Sequence, residues 1–202
     1  MGSSDTQEAL RQIHGQIRTC RLCPLSRTRT KAVPGEGASN ARIIFVGEGP
    51  GGEEDHQGRP FVGAAGRVLD EQLRRIGLSR RAVFITNIVK CRPPGNRDPQ
   101  PEEIAACRDY LLSQIALIQP TVICTLGRFA AQALLDPKIS ITREHGKARR
   151  VSGILHVPIY HPAAALHQPQ LAGALESDFA QLRALLERDS ATSEEGPGTR
   201  HA

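Results

Sequence analysis

The stretch Arg42–Gly66 reads RIIFVGEGPGGEEDHQGRPFVGAAG and passes from an apolar run through a glycine-rich loop toward a helix. Its first five residues are rich in β-branched side chains and stop at a glycine, which is the pattern of a buried strand. Five glycines in Gly47–Gly58 let the main chain approach a ligand closely. The helix expected after Gly63 turns its N-terminus toward the same place. The loop is not a Walker A motif, since no Gly-Lys-Ser/Thr follows it.

Strand and helix patterns alternate along the rest of the chain. Apolar runs predict further strands at Val83–Thr86, Thr121–Leu126 and Leu155–Tyr160. Helical spacing predicts helices at Asp5–Ile17, Gly63–Gly77, Pro101–Gln119, Arg128–Leu135 and Ser177–Arg188. This alternation predicts a three-layer α/β/α sandwich with a central, mostly parallel four-stranded sheet. In such sheets ligands bind outside the carboxyl ends of the strands, which points to the loops that begin at Gly47, Asn87, Gly127 and His161.

Size and composition suit one folded domain. We expect it to span residues 5–189 of the 202, with frayed residues at Met1–Thr6 and a flexible tail at Ser190–Ala202. The chain shows no apolar run of membrane-spanning length and no signal-peptide pattern, so we expect a cytoplasmic protein without a membrane partner. A net charge of +5 makes a nucleic-acid partner plausible. Aromatic residues are 3% of the chain, which argues against a single-strand binder built on stacking platforms.

Four of the five cysteines are candidate metal ligands. Cys20 and Cys23 form a C-x2-C pair, and Cys91 and Cys107 flank a proline-rich segment. Four thiolates suit either a [4Fe–4S] cluster or a structural zinc, and the residues alone leave both open. The simpler alternative is that Cys91 and Cys107 are unrelated buried thiols. Cys124 lies in an apolar strand and is most simply a small core residue.

Four motifs occur in order along the chain: GEGPG from Gly47, GRPFVG from Gly58, TNIVKCRPPGNR from Thr86 and HP from His161. Together with the cysteines, this set closely resembles the family 4 uracil-DNA glycosylases, the iron–sulfur branch of their superfamily, over roughly Cys20 to Arg188. The resemblance implies a monomeric DNA-repair enzyme that flips uracil out of single- or double-stranded DNA. Such an enzyme hydrolyses the N-glycosidic bond and leaves an abasic site. The resemblance also favours the cluster over zinc, in a structural role on Cys20, Cys23, Cys91 and Cys107.

The resemblance also implies roles for individual residues. Asn87 would pair with uracil O4 and N3, Phe61 would stack on the extruded ring, and His161 would donate to O2 as negative charge develops there. Glu48 would stabilise the sugar cation or orient the attacking water. Gly49 and Glu54 would line the pocket, with Glu54 excluding the methyl group of thymine. Each has an ordinary structural alternative: a turn cap for Asn87, core packing for Phe61, a backbone-bonded His161 and a solvated acidic rim for the glutamates.

The DNA contacts expected from the same resemblance are basic residues and one apolar wedge. Arg59, Arg92 and Arg97 would meet the backbone, and Leu166 would fill the gap left by the flipped base. Two departures from related enzymes stand out. The first motif has no Asp before Asp55, so catalysis should depend more on stabilising a dissociative transition state. The second is Ala163 after the His-Pro motif, where family members often have Ser, which argues against a phosphate contact from that position. In addition, no His occurs between Cys91 and Cys107, so covalent trapping of DNA is not expected.

Two other functions remain open from the sequence. One is a non-catalytic iron–sulfur module that binds DNA or a polymerase, and it would bind DNA tightly without excision. The other is a zinc-stabilised nucleotide-binding protein, which would be colourless.

Overall fold

A six-stranded sheet forms the centre of the computed structural model, which describes residues 3–194. The strands are β1 (Glu36–Gly37), β2 (Ile43–Gly47), β3 (Phe84–Asn87), β4 (Val122–Leu126), β5 (Arg149–Val151) and β6 (Ile154–Ile159). They lie in the order β1-β3-β2-β4-β6-β5. The inner four are parallel, and β1 and β5 pair antiparallel at the two edges. The predicted mostly parallel sheet is confirmed, but its predicted count of four strands is wrong, because two short edge strands were not recognised.

Eight helices surround this sheet within the described residues. They are α1 (Ser3–Thr19), α2 (Gly52–Gln57), α3 (Ala64–Arg75), α4 (Pro101–Ile118), α5 (Arg128–Leu134), α6 (Ile141–Glu144), α7 (Pro162–His167) and α8 (Ala172–Glu194). The five predicted helices are present as α1, α3, α4, α5 and α8. Helix α8 continues through residues 190–194 of the predicted tail; residues 195–202, with Met1 and Gly2, lie outside the described part. No helix in residues 3–194 combines the length and apolarity needed to cross a membrane.

The helices form two layers because the inner strands are apolar on both faces. On one face, Ile44 and Ile123 pack against α1, α4 and α5. On the other, Phe45 and Val157 pack against α3 and α8, where the Phe45 and Phe179 rings lie 6.0 Å apart and nearly parallel. A sheet covered on both faces is typical of parallel α/β proteins. The predicted three-layer sandwich is therefore confirmed.

The order of the inner strands creates a crevice at the carboxyl end of β2. The chain continues from β2 to β3 on one side, and then crosses to β4 on the other side. Loops that leave neighbouring strands in opposite directions leave an opening between them, where ligands bind in such folds. Glu48 follows β2 and Asn87 ends β3, while Gly127 and His161 follow β4 and β6. The sheet therefore gathers all four loop starts singled out in the sequence along one edge.

Candidate active site

A cavity of about 370 Å³ opens at this edge of the sheet. Its lining combines residues of the glycine-rich loop, the end of β3, the segment after β3 and the start of α7. They are Glu48, Gly49, Pro50, Gly51, Glu54, Phe61, Ala65, Asn87, Pro93, Asn96, Arg97, His161, Ala163 and His167. The structure thus brings the predicted pocket residues into one cavity, although they come from distant parts of the sequence.

Three side chains form the inner part of this cavity. The rings of Phe61 and His161 lie 5.7 Å apart between centroids and tilt by 32°. Gly47 lies beneath Phe61 and Asn87: a Cβ at Gly47 would come within 2.5 Å of both the Phe61 ring and Asn87 Oδ1. A side chain at position 47 would therefore displace the aromatic ring and the amide from their present places.

The side-chain amide of Asn87 is buried and unpaired. Asn87 is 1% exposed, and neither Oδ1 nor Nδ2 has a hydrogen-bond partner within the described chain. Buried polar atoms are nearly always paired, because burying an unpaired donor or acceptor costs free energy. At the wall of a cavity, this amide can bind a planar ligand that carries a donor and an acceptor side by side on one edge.

Phe61 is held in place through its main chain. Its φ of 51° is unusual for a residue with a bulky side chain. The Arg80 guanidinium donates to the carbonyl oxygens of Pro60 (2.5 Å) and Phe61 (3.0 Å), and it also pairs with Glu36 and Asp70. Gly66 packs against the Phe61 carbonyl, where a Cβ would come within 1.9 Å of the oxygen. The strained turn is therefore fixed from two sides.

The imidazole of His161 has a defined tautomer. Its Nδ1 accepts a hydrogen bond of 3.1 Å from the Ala163 main-chain N–H, at the start of α7. Burial lowers the pKa of His161 to about 4, against a smaller opposing effect of Glu54. The ring is therefore neutral at physiological pH and carries its proton on Nε2, which makes Nε2–H a donor.

Glu48 is the acidic residue with the most altered ionisation in the cavity. Burial raises the pKa of Glu48 to about 7; the Asp98 carboxylate adds to the rise and the Arg128 guanidinium opposes it. Asp98 and Arg128 lie 3.3 Å apart as an exposed ion pair. Near neutral pH the Glu48 carboxyl group is therefore divided between its charged and neutral forms.

Glu54 and Asp55 point to different parts of the molecule. Glu54 lines the cavity, and its carboxylate accepts hydrogen bonds from the main-chain N–H groups of Val62 (2.9 Å), Gly63 (2.8 Å) and Gly51 (3.1 Å). The buried Asp55 carboxylate instead accepts from the Thr30 N–H at 2.9 Å. Asp55 is absent from the cavity lining, in keeping with a first motif that carries no Asp.

The four candidate metal ligands line a second cavity. Cys20 and Cys23 are half-buried, Cys91 and Cys107 are buried, and all four are free thiols. The Arg29 guanidinium donates to Cys91 Sγ at 2.9 Å and to the Cys20 carbonyl at 2.8 Å. In residues 3–194 no three His, Cys, Asp or Glu side chains are placed to hold a single metal ion. Cys124 is fully buried in β4, as expected of a core residue.

The predicted DNA-contact residues lie in three places. Arg97 lines the cavity while its guanidinium grips the buried Glu103 carboxylate at 2.6 and 2.9 Å. Arg92 donates to Asn96 Oδ1 at 2.7 Å and lies over Gly52. Arg59 pairs with Glu36 in a separate surface groove. Leu166 is 45% exposed on α7.

Several lining residues were not singled out in the sequence. Asn96 and His167 are the polar ones, and Pro93 and Ala65 are apolar. Asn96 lies inside the TNIVKCRPPGNR motif, so the motif itself could have indicated it. His167 carried no such signal, because it reaches the cavity only through the short helix α7, which was not predicted.

Comparison with known proteins places this geometry in a family. The family model for the uracil DNA glycosylase superfamily matches residues 34–187. A type-4 uracil-DNA glycosylase of Archaeoglobus fulgidus is 49% identical over 183 residues, which cover 87% of this chain and 92% of that protein. A type-4 enzyme of Thermotoga maritima is 49% identical over 164 residues, 80% of this chain and 85% of that protein. A type-5 enzyme of Thermus thermophilus is 34% identical over 151 residues, 59% of this chain and 68% of that protein. The chain belongs to the uracil DNA glycosylase superfamily and, within it, to the type-4 enzymes.

Proposed function

We propose that the protein excises uracil from DNA by hydrolysing its N-glycosidic bond and leaves an abasic site. The observation that carries this proposal is the buried, unpaired amide of Asn87 at the wall of a cavity. Its carbonyl oxygen can accept from uracil N3–H and its NH2 group can donate to uracil O4. The names of the type-4 relatives support the same activity.

The rest of the cavity suits a flipped pyrimidine. A base that leaves the stack needs a surface to replace its lost neighbours, and the Phe61 ring beside Asn87 offers one. Glu54 is our candidate for excluding the thymine methyl group, and its three main-chain hydrogen bonds hold the carboxylate rigidly at the wall. Gly49 lets the loop that lines the cavity pack closely on the core, since a Cβ there would come within 2.7 Å of the buried Val89 side chain.

His161 supplies the donor for the leaving group. Cleavage of the glycosidic bond leaves negative charge on uracil O2, and a fixed donor aimed at this atom lowers the barrier as an oxyanion hole does. Because Nδ1 accepts from Ala163, Nε2–H is free to serve as that donor without any change of protonation.

Glu48 is our candidate for the positive side of the transition state. As a carboxylate it can stabilise the cation that develops on the sugar or orient the attacking water. The raised pKa means that this form dominates only above about pH 7. Water activation by an Asp of the glycine-rich loop does not enter the proposal, because Asp55 holds the Thr30 main chain instead.

We propose that Cys20, Cys23, Cys91 and Cys107, which line the second cavity, hold a [4Fe–4S] cluster there. Four thiolates are the donor set of a [4Fe–4S] cluster and also of a structural zinc. The resemblance of the motifs to the iron–sulfur branch of the superfamily favours the cluster. The Arg29 guanidinium already donates a hydrogen bond to Cys91 Sγ and would stabilise the thiolate form of this ligand. Bound there, the cluster would tie the N-terminal segment to α4 as a structural element.

Most of the DNA contacts in this proposal lie near the cavity. Arg92 and Arg97 follow β3 beside the lining residue Asn96, and the exposed Leu166 precedes the lining residue His167. Arg59 lies in a separate groove, so it would contact DNA only at a distance from the flipped base. We propose that the protein acts on this DNA as a monomer.

The deciding experiment uses a labelled oligonucleotide that contains one uracil, incubated with the protein and then treated with alkali. We expect strand cleavage at the uracil position in single-stranded and duplex DNA, and no cleavage when thymine replaces uracil. Tight binding without cleavage would contradict the proposal and leave a non-catalytic DNA-binding module in its place.

A further inference from the structure

Lys90 is a fully buried basic residue in the TNIVKC segment, bonded to Asn87 on one side and lining the cysteine cavity on the other. It is 1% exposed and among the largest fully buried side chains of the described residues. A buried ammonium is costly unless its protons are bound. Lys90 Nζ donates to Thr86 Oγ1 at 2.6 Å, to Gln114 Oε1 at 2.8 Å and to the Asn87 main-chain carbonyl at 2.8 Å. All three ammonium protons therefore have an acceptor.

These acceptors belong to a buried polar network that joins three elements. Thr86 Oγ1 donates to the Pro34 carbonyl at 2.9 Å, and Gln114 Nε2 donates to the same carbonyl at 2.8 Å. Gln114 lies on α4, while Thr86 lies on β3 immediately before Asn87. The network thus anchors the end of β3 to α4 and to the segment around Pro34.

Asn87 needs such an anchor because its side chain has none of its own. The amide makes no hydrogen bond to the described residues, so its direction depends on the main chain that carries it. The Asn87 main chain pairs with Gly47 in the parallel ladder. Its carbonyl oxygen accepts a hydrogen bond from Lys90 Nζ. A shift of the carbonyl would turn the amide away from the base.

Lys90 also belongs to the lining of the cysteine cavity. All three of its hydrogen-bond acceptors are neutral groups. Thiolates that hold an iron–sulfur cluster carry net negative charge, which offsets a buried ammonium. Lys90 therefore bonds the main chain of the base-reading residue through its side chain and also contributes to the lining of the cluster site.

We infer that Lys90 is a positioning residue that orients Asn87 for reading the base and couples that orientation to the cysteine cavity. The inference rests on the proposed function, since it gives Asn87 a base to read. It adds a role for a residue that is not among those lining the base cavity.

The test compares Lys90→Met, which keeps the length of the side chain and removes its charge, with the exposed-site control Lys138→Met. Both proteins are prepared with iron and checked by iron content, visible absorbance and thermal melting. Calorimetry then measures the affinity for free uracil, and single-turnover assays measure excision. We expect Lys90→Met to lose about tenfold or more in both affinity and rate, a typical size for coupled neighbours. We expect Lys138→Met to match the wild type.

A double-mutant cycle separates positioning from general support of the fold. In an Asn87→Ala background, Lys90→Met should cost almost nothing further, because the amide that it positions is already absent. Equal losses in both backgrounds would overturn the inference. If Lys90→Met does not accumulate as folded protein, Thr86→Val removes one acceptor and enters the same cycle, with the same two outcomes. A wild-type protein that neither binds nor excises uracil would instead remove the proposed function, and the inference with it.

The reduction potential of the bound cluster tests whether Lys90 lies close to it. A positive charge beside a cluster favours its reduced, more negative form, so Lys90→Met should move the reduction potential to a more negative value. An unchanged potential in a fully loaded variant would contradict the placement of the ammonium beside the cluster.

Discussion

At the residue scale, the cavity holds side chains that contribute little to the fold. The Asn87 amide has no hydrogen bond to lose within the described residues. His161 uses only its Nδ1 atom in a hydrogen bond within the fold, to the Ala163 main-chain N–H. Glu48 lines the cavity with a carboxyl group whose charge is disfavoured by burial. Groups kept in such states point to a ligand that completes their interactions.

The first prediction concerns Asn87→Ala. Excision should fall about 10²–10³-fold, the usual cost of losing one well-placed catalytic hydrogen bond. The melting temperature should stay near that of the wild type, because the amide bonds to nothing in the described fold. Single-turnover excision and thermal melting measure the two quantities, with the exposed Asn40→Ala as a matched control. A near-normal rate would show that base reading lies elsewhere.

The second prediction concerns the pH dependence of excision. The pKa of Glu48 is raised to about 7, so its active carboxylate form is lost as the pH falls below that value. The rate should fall about tenfold per pH unit on the acid side and level off above pH 7. His161, with its pKa lowered to about 4, stays neutral over this range and adds no step. Single-turnover rates from pH 5 to pH 9 test this against Glu48→Gln, which should be slower and nearly flat. An acid limb that persists in Glu48→Gln would refute the assignment.

At the element scale, one carboxylate joins the two ends of the loop between α2 and α3. Glu54 joins the start of α2 to the turn before α3 through three main-chain donors. Phe61 lies within the span that these bonds close. Glu54 therefore helps to fix the turn that carries Phe61, and Glu54 also lines the cavity.

The third prediction follows from this arrangement. Glu54→Ala should lower the free energy of unfolding by about 2–3 kcal/mol, because it removes several hydrogen bonds to a charged group. The exposed neighbour Glu53→Ala should change it by less than about 0.5 kcal/mol. Urea unfolding of the two variants provides the comparison. Equal stability would mean that Glu54 serves the cavity and not the loop.

The elements that sequence reasoning found and missed differ in physical kind. The four inner strands are buried on both faces, so each appears as a continuous apolar run such as RIIFV. The edge strands β1 and β5 have two and three residues and no buried position, which leaves no pattern to read. Helices α2, α6 and α7 have six residues or fewer, too short for a helical period. Missing α7 is what hid His167 from the predicted site.

The motifs were enough to predict which residues line the pocket, but not how those residues ionise or which hydrogen bonds they make. Burial sets the pKa of Glu48 and of His161, and burial depends on how distant segments pack. The hydrogen bonds of Glu54 and of Arg97 likewise became visible only once loops and helices were placed together. The sequence carried no sign that Lys90 is buried beside Asn87.

At the scale of the whole molecule, the cysteine cavity connects the N-terminal segment to the catalytic half. Helix α1 packs on α4, which carries Cys107, while Cys20 follows α1 directly. One bound cluster would therefore join Cys20, next to α1, to Cys107 on α4. Cluster binding adds folding free energy to whatever it joins.

The fourth prediction tests this connection with Cys107→Ala. We expect less iron per chain, weaker visible absorbance, a lower soluble yield and a lower melting temperature. Cys124→Ala is the control, because Cys124 is buried in β4 away from the other four and should keep its iron. Full iron content in Cys107→Ala would remove Cys107 from the ligand set.

The short strands that close the sheet also bear on how the protein behaves at high concentration. A parallel sheet whose outermost strand was long and apolar would offer a row of open main-chain groups to another copy of itself. Here β1 offers two residues, and β5 offers three that are exposed and include Arg149 and Arg150. Neighbouring molecules therefore find little backbone at either edge with which to extend the sheet from one chain into the next. The apolar interior is thereby shielded from aggregation at its rims as well as on its two faces.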